Sequence, residues 1–283
     1  MTQRYYRFAG VELCICGSKD QLYTEERRLA PFRVERVENP HRVTLEVRES
    51  LDAPVGEQVH SRPDLCVYAP DGALIRYVDT KQGDWQQAVL RCAHIGRTHQ
   101  VQVRASAISE RISARLVLNA LEAPRLVAQE NGFLLHASYV LWNGKAILFT
   151  APSGTGKTTQ AQLWNAHRDA QIVNGDRAAV RIENGKAVAC GIPFAGSSQY
   201  CRNVTAPLAA IVYLEQAPQN RITPLRGFKA FRSVWEGCSL SRWDAGQVHL
   251  VSETVEKVLQ QVPVYRLDCT KDQGAISALE EVL

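Results

Sequence analysis

The sequence predicts an α/β protein with a mixed, hairpin-rich sheet, preceded by a β-rich N-terminal domain. Short runs of alternating apolar and polar residues, such as residues 42–48, fill the first part of the chain. Two Asn-Gly pairs, Asn143-Gly144 and Asn184-Gly185, each separate two strand-like runs, which is the strongest short-range signal of a β-hairpin. Between the two hairpins lies a glycine-rich loop that is followed by a helical pattern.

The N-terminal domain is predicted to span residues 1–107 and to form a β-meander. Strand patterns flank the turn signal at residues 70–72 (Pro-Asp-Gly), and two more follow at residues 88–92 and 99–104. The domain shows no cluster of residues typical of a catalytic site. His94 and His99 lie on either side of a predicted turn, and we expect them to be surface histidines. A sheet that recruits the substrate or joins two copies of the chain is the alternative to a purely structural role.

A helical segment is predicted to open the second domain, residues 108–283, and to connect it with the first. Ile108, Ile112 and Leu116 repeat at a helical interval, and the helical pattern continues to about residue 130. Pro124 is expected to kink or interrupt this helix because proline has no backbone N–H group.

Composition excludes some classes of partner. The 283 residues carry a net charge of +4 without a stripe of basic and aromatic residues, so we do not expect nucleic acid as a partner. No run reaches the roughly 18 apolar residues of a membrane-spanning helix, and the N-terminus lacks the core of a signal peptide. We therefore predict no membrane contact, a cytoplasmic location and reduced cysteines. Cys14 and Cys16 fit one face of a strand better than the alternative, a metal site, because no further ligand pair lies near them in the sequence.

Residues 150–160 form the pattern that is most informative about function, Thr-Ala-Pro-Ser-Gly-Thr-Gly-Lys-Thr-Thr-Gln. It is typical of a phosphate-binding loop (P-loop), in which glycines let backbone N–H groups converge on an anion. Lys157 would add a positive charge near the β- and γ-phosphates, and Thr158 could bind Mg²⁺ through its hydroxyl. A chance glycine-rich turn is the alternative, which the flanking hairpins disfavour. The predicted nucleotide-binding residues are Ser153, Gly154, Thr155, Gly156, Lys157, Thr158 and Thr159.

A carboxylate follows the loop helix at the end of the short apolar run 172–175. Asp176 is predicted to hold a metal ion or to act as a base opposite the loop. A turn or helix-cap role is the alternative, because Asn-Gly-Asp is a common turn sequence. Arg177 and Arg202 are candidates for holding phosphate or substrate, and solvated surface charges are the alternative. Residues 196–202 are predicted to form a polar loop at the mouth of the site that contacts the acceptor, and a plain connecting segment is the alternative.

Four motifs resemble, in order and spacing, those of the HPr kinase catalytic domain, whose fold is shared with phosphoenolpyruvate carboxykinase. They are residues 136–138 (His-Ala-Ser), the phosphate-binding loop, residues 173–177 (Val-Asn-Gly-Asp-Arg) and residues 191–196 (Gly-Ile-Pro-Phe-Ala-Gly). The stretch 262–279 is similar to the end of HPr-kinase-like proteins that accompany peptide-modification systems. The resemblance covers residues 130–283 and implies an HPr-kinase-like P-loop fold, with His136 near the loop in contact with phosphate or the acceptor. A histidine that is hydrogen-bonded within the core is the alternative for His136.

This resemblance implies an ATP- and Mg²⁺-dependent kinase that phosphorylates a hydroxyl group, a serine of a peptide or protein or a small hydroxyl compound. Lys157, Asp176 and His136 would be the catalytic residues, and Thr158 and Asp176 the metal ligands. No counterpart of the segment with which bifunctional HPr kinases reverse the reaction is found in the sequence, which favours a plain kinase.

One departure from the family pattern supports an alternative function. The family usually carries two adjacent aspartates where this chain has Gly175-Asp176. The alternative is a nucleotide-binding module with little or no transfer activity that gates a peptide-modification assembly. A carboxykinase fits less well because no second metal cluster is visible in the sequence. A homo-oligomer is compatible with each of these functions.

Overall fold

A computed structural model describes residues 2–17, 28–107, 114–194 and 200–283. The chain divides into two compact units. One consists of Val11–Leu126 together with the residues up to Arg7, and the other of Phe8–Gly10 and Val127–Leu283. The predicted domain boundary and the beginning of the predicted connecting helix fall at residues 108–113, outside the described residues.

The first unit is built on a mixed β-sheet. Its strands are β1 (Thr2–Phe8), β2 (Val11–Gly17), β3 (Arg33–Val34), β4 (His41–Arg48), β5 (Glu57–Arg62), β6 (Leu65–Ala69), β7 (Leu74–Val78), β8 (Leu90–Ile95) and β9 (Thr98–Arg104). Within the described ranges their order is β3-β1-β2-β4-β9-β8-β7-β6-β5. Strands β5 to β9 form the predicted meander. In addition, β4 pairs in parallel with both β2 and β9, an arrangement between distant segments that leaves no local signal in the sequence.

The two histidines that we expect at the surface are buried. His94 and His99 are paired opposite each other on β8 and β9 and are only 7% and 2% exposed. Nδ1 of His94 lies 2.9 Å from Nδ1 of His99, and Nε2 of His99 lies 2.9 Å from Nδ1 of His41 on β4. The prediction is wrong because it considered only the turn between the two residues. Their exposure is decided by the flanking strands of the sheet.

The helical connection is interrupted at the predicted place. Helix α1 (Ala114–Ala120) and helix α2 (Ala123–Gln129) are separated by Leu121 and Glu122, and the φ angle of Glu122 is +52°. Pro124 lies in the first turn of α2, where a backbone N–H group has no partner within the helix. Proline is therefore tolerated there but could not continue α1.

The second unit is a mixed sheet with helices against both faces. In the described part of the chain its main strand order is β13-β11-β12-β16-β15-β14-β10-β18, and β19 pairs with β16 and β17. Among the described residues, no helix has the length and apolar character that crossing a membrane requires. The strands are β10 (Gly132–Leu135), β11 (Ala137–Trp142), β12 (Lys145–Thr150), β13 (Gln171–Asn174), β14 (Ala178–Glu183), β15 (Lys186–Cys190), β16 (Thr205–Gln216), β17 (Arg221–Leu225), β18 (Cys238–Ser239) and β19 (Val264–Cys269), and the helices are α3 (Lys157–Arg168), α4 (Gly227–Trp235), α5 (Ala245–Leu259) and α6 (Gln273–Glu280).

Both predicted hairpins are present in this sheet. Strand β11 pairs antiparallel with β12, and β14 pairs antiparallel with β15. Asn143 and Asn184 have φ angles of +48° and +49°, as a two-residue type I′ turn requires. Strand β12 also pairs in parallel with β16, and β16 in parallel with β19. The predicted mixed α/β class is therefore confirmed.

Alternate residues of β12 bury the two faces of this sheet. Ile147 and Phe149 pack in one apolar cluster with Trp164 of α3 and residues of α6. Leu148 belongs to the cluster on the other face, together with Val255 of α5. Because β12 is fixed on both faces, the loop that follows Thr150 starts from a rigid position. The carboxyl ends of β12, β16 and β19 share one edge of the sheet, where α/β proteins commonly bind ligands.

Candidate functional site

The glycine-rich loop lies between the end of β12 at Thr150 and the start of α3 at Lys157, as predicted. Gly154 and Gly156 have φ angles of +81° and +120°, which residues with a Cβ atom rarely adopt. A Cβ added to either glycine would meet no other atom within 4 Å, so the backbone conformation alone requires glycine. The N-cap residue of α3 is Gly156, which has no side chain to accept from the first N–H groups of the helix, the groups that bind anions at helix N-termini.

Lys157 is held against the inside of this loop. Its Nζ atom donates hydrogen bonds to the carbonyl oxygens of Ala151 and Pro152, at 3.0 and 3.1 Å. The residue is 7% exposed. Burial lowers the pKa of Lys157, and the negative charge of Asp176 acts in the opposite direction. The ammonium group thus lies among loop carbonyl groups that a phosphate oxygen could replace.

Asp176 is in contact with two basic side chains. Nε2 of His136 lies 3.3 Å from Oδ1 of Asp176, and Nε of Arg177 lies 3.6 Å from Oδ2. The hydrogen bond with His136 lowers the pKa of Asp176, and burial opposes this effect. The positive charges of His136, Arg177 and Lys157 lower the pKa further. The charges of Lys157 and His136 therefore both act on Asp176, so the three predicted catalytic residues interact electrostatically.

Hydrogen bonds connect the parts of this site through the carbonyl group of Gly175. Its oxygen accepts bonds from Oγ of Ser138 at 2.9 Å and from Oγ1 of Thr158 at 3.2 Å. The hydroxyl predicted to bind metal is thus tied to the turn that carries Asp176.

His136 is fixed through its backbone. Its N–H donates to the carbonyl oxygen of Gly237 at 2.8 Å, and its own carbonyl oxygen accepts a bond from Oγ1 of Thr150 at 3.0 Å. Because Thr150 is also the last residue before the loop, the same residue fixes the position of His136 and the start of the loop.

Asn174 is a residue of this region whose role the sequence does not reveal. It is completely buried, and its Nδ2 atom donates to the carbonyl oxygens of Ile192 and Phe194, both at 3.0 Å. Its Oδ1 atom accepts a bond from the N–H of Ile192 at 3.1 Å. Asn174 therefore holds the Gly-Ile-Pro-Phe segment beside the turn of Asp176. The signal in the sequence is an amide side chain at the end of an apolar strand, a pattern that also predicts a turn.

The two candidate arginines have different environments. Arg177 pairs with Asp176 and is partly exposed at the site. Arg202 donates from Nε to the carbonyl oxygen of Ile172 at 3.2 Å, so it supports β13 near the beginning of that strand. Of the polar loop predicted at 196–202, residues 196–199 lie outside the described residues.

The available metal ligands are oxygen atoms. The hydroxyl of Thr158 and the carboxylate of Asp176 are hard ligands of the kind that Mg²⁺ prefers. Among the described residues, no group of three or more His, Cys, Asp or Glu side chains is placed to hold a metal ion. Mg²⁺ would therefore take its other ligands from nucleotide phosphates and water, as is usual for this ion. Cys14 and Cys16 lie along β2 with sulfur atoms 3.6 Å apart.

A family model described as SynChlorMet cassette protein ScmC matches residues 109–283. The chain belongs to this family. The matched segment includes all the site residues described above. No curated protein matches this chain.

This chain is also similar to a solved structure, the HPr(Ser) kinase/phosphatase from Coxiella burnetii. The TM-score is 0.31 and the sequence identity is 10%, over 52% of this chain and 94% of that chain. The function of this protein is therefore inferred from the geometry of its own loop and of the His136–Asp176 pair.

Proposed function

We propose that this ScmC-family protein is an ATP- and Mg²⁺-dependent kinase that transfers phosphate to the hydroxyl group of a serine in a peptide or protein. The observation that supports this most directly is the His136–Asp176 contact of 3.3 Å, next to a loop that ends in Lys157 and Thr158. Phosphoryl transfer requires mainly charge neutralisation and positioning of the reacting oxygens. These residues are of the types that supply both.

Nucleotide binding would use the loop and the start of α3. The backbone N–H groups and the positive end of the helix dipole attract the phosphates. Lys157 would exchange its hydrogen bonds with Ala151 and Pro152 for bonds with phosphate oxygens. Because this exchange preserves the number of partners of a largely buried ammonium group, it avoids the cost of leaving that charge unpaired.

Thr158 and Asp176 would hold Mg²⁺. When bound, the ion neutralises charge on the phosphates. The hydrogen bond from Thr158 to Gly175 keeps the hydroxyl close to the turn of Asp176, so both ligands are on the same side of the loop.

In the transfer step, the hydroxyl oxygen of the acceptor forms a bond to the γ-phosphorus, and the bond between that phosphorus and the bridging oxygen breaks. The proton of the hydroxyl passes to the carboxylate of Asp176, and the electron pair of the broken bond remains on ADP. His136 orients this carboxylate through the bond to Oδ1. Lys157 stabilises the charge that develops on the phosphate oxygens.

A nucleotide-binding module without transfer activity is the second candidate. It is favoured by the glycine at position 175 and by the contacts of Asp176 with His136 and Arg177, which make this carboxylate a weaker base. Such a protein would bind nucleotide and change the activity of a partner in its cassette.

A transfer assay separates the two functions. The protein is incubated with Mg²⁺ and γ-labelled ATP, and free serine, serine-containing peptides and a cell lysate are offered as acceptors. The kinase function predicts labelled serine that disappears in Asp176→Asn. Nucleotide binding without any labelled acceptor would support the module, and the absence of nucleotide binding would rule out both functions.

A further inference from the structure

A cleft of about 980 Å³ lies where β19 begins, whereas the glycine-rich loop lies at the edge where β12 ends. The cleft is formed by the start of α4, the end of α5 and the adjoining ends of β17 and β19. None of the residues assigned to phosphoryl transfer lines it. The apolar side chains that line it include Leu225, Ala230, Phe231, Leu259, Val262 and Val264.

Phe228 stands at the rim of this cleft and is 77% exposed. It lies in the first turn of α4, next to Gly227, whose φ angle is +54°. An exposed aromatic side chain beside an apolar cleft is typical of a binding surface. The same molecule thus presents both a projecting apolar side chain and an apolar cavity next to it.

Two charged residues also line the cleft, Arg226 before α4 and Glu256 on α5. Neither forms an ion pair within the described ranges of the chain. Lys229, also exposed on the first turn of α4, adds a second positive charge on the side of Arg226. The surface therefore has a positive side and a negative side, with the apolar cleft between them.

If a two-fold axis passes through this surface, the positive side of each copy faces the negative side of the other copy. In an isologous contact the same patch is used by both copies, so residue i of one meets residue j of the other and the reverse. Phe228 of each copy would then face the cleft of its partner, and Arg226 of each would face Glu256 of the other. Pro224 on the outer strand β17 lacks an N–H group, which disfavours joining the two sheets by backbone pairing.

We infer that this surface, the α4–α5 cleft, joins two copies of the chain in an isologous dimer. Phe228 of each copy fills the apolar cleft of the other, and two Arg226–Glu256 ion pairs fix the orientation. The aromatic side chain supplies most of the binding energy, since buried aromatic anchors dominate interfaces of this kind. The charge pairs mainly set orientation and specificity.

The test is sedimentation of the full-length protein from micromolar to hundred-micromolar concentration. We expect a concentration-dependent dimer for the wild type and a dissociation constant raised at least about tenfold by Phe228→Asp, as for the loss of one anchoring side chain. Leu250→Asp is the matched control, because Leu250 is a 39% exposed apolar residue of α5 outside the cleft. This control should dimerise like the wild type.

Charge reversal tests the proposed orientation. Arg226→Glu and Glu256→Arg should each weaken the dimer, and the double variant should restore it, because the reversed charges again face each other. If the wild type stays monomeric at every concentration, the cleft serves another occupant, such as a peptide or a small apolar compound, and the inference is wrong. It is also wrong if Phe228→Asp dimerises as well as Leu250→Asp, or if the double charge variant is no better than the single ones.

Discussion

His136 and Asp176 come from opposite sides of the glycine-rich loop in the sequence and meet with Nε2 3.3 Å from Oδ1. His136 precedes β11, and Asp176 follows β13, which pairs with β11. The contact is therefore a consequence of this strand pairing. Through this contact His136 lowers the pKa of Asp176 without itself having to touch the nucleotide.

Replacing His136 should change the pH dependence of the reaction. The hydrogen bond from His136 is the largest influence lowering the pKa of Asp176. In His136→Gln the positive charge is lost, so the pKa of Asp176 rises and its ionised form is lost at higher pH than in the wild type. We expect the acidic limb of the kcat/KM profile to move to higher pH, measured by transfer assays across the acidic range.

A second histidine of the same unit provides the control for this experiment. His167 lies in the last turn of α3 and is exposed. His167→Gln should leave the acidic limb unchanged. An unshifted profile in His136→Gln would show that His136 does not control the ionisation of Asp176.

Removing the charge of Asp176 should abolish transfer more than nucleotide binding. Asp176→Asn preserves the shape of the side chain but removes both the proton acceptor and the charged metal ligand. We expect the transfer rate to fall by at least about 100-fold, the usual range for loss of a general base. Nucleotide affinity, measured by calorimetry without Mg²⁺, should change much less. A rate within a factor of about two of the wild type would exclude the assigned role.

Adding a second carboxylate tests the alternative function. In Gly175→Asp the carbonyl group that binds Ser138 and Thr158 is retained, and a carboxylate is added beside Asp176. If the natural protein is a nucleotide-binding module, this variant should show transfer activity that the wild type lacks. If the wild type is already a kinase, a gain of this kind is not expected.

Loss of the loop lysine should weaken nucleotide binding. Lys157→Ala removes the positive charge that lies inside the loop, and we expect at least a tenfold loss of affinity, about 1.4 kcal/mol. Titration calorimetry measures this directly. Lys186→Ala, at the exposed first residue of β15, should bind as the wild type does. Equal affinities for all three proteins would remove the loop as the nucleotide site.

The features that the sequence predicts well depend on neighbouring residues. The two Asn-Gly hairpins and the helix after the loop are specified within a few positions, so local patterns are sufficient to identify them. The nucleotide-binding role of the loop stays a prediction, since backbone geometry alone does not identify the ligand.

The features that the sequence does not predict depend on contacts between distant segments. The parallel pairing of β4 with β9 brings His41 beside His99, and no pattern around either residue indicates this. Asn174 likewise becomes a structural residue only because residues 192–194 return to it. Tertiary contacts of this kind override the local interpretation of a histidine near a turn or an asparagine before a glycine.

The buried histidines should make the protein sensitive to acid. Burial is the main cause that lowers the pKa of His41 to about 4 and that of His99 to about 3, from an ordinary value of 6.5. Burial also lowers the pKa of His94, and the charges of Arg76 and Arg125 add to this. All three imidazoles are therefore neutral in the folded protein at neutral pH.

Acid lowers the free energy of unfolding because the unfolded state binds more protons at these histidines than the folded state does. Between the unfolded pKa near 6.5 and the folded values of about 3 to 4, the unfolded chain is protonated at these histidines and the folded chain is not. The free energy of unfolding is therefore highest above this window and falls as the pH decreases through it. For His99 alone the loss at about pH 5 is on the order of 2 kcal/mol.

Urea denaturation at about pH 7 and pH 5 measures this loss. His99→Gln should have a smaller difference between the two pH values, even if the substitution lowers stability at both, because the titrating group is gone. His249 is exposed on α5 and is the control, since His249→Gln should keep the difference found for the wild type. A wild-type protein equally stable at both pH values would show that the three imidazoles are not held neutral by the fold.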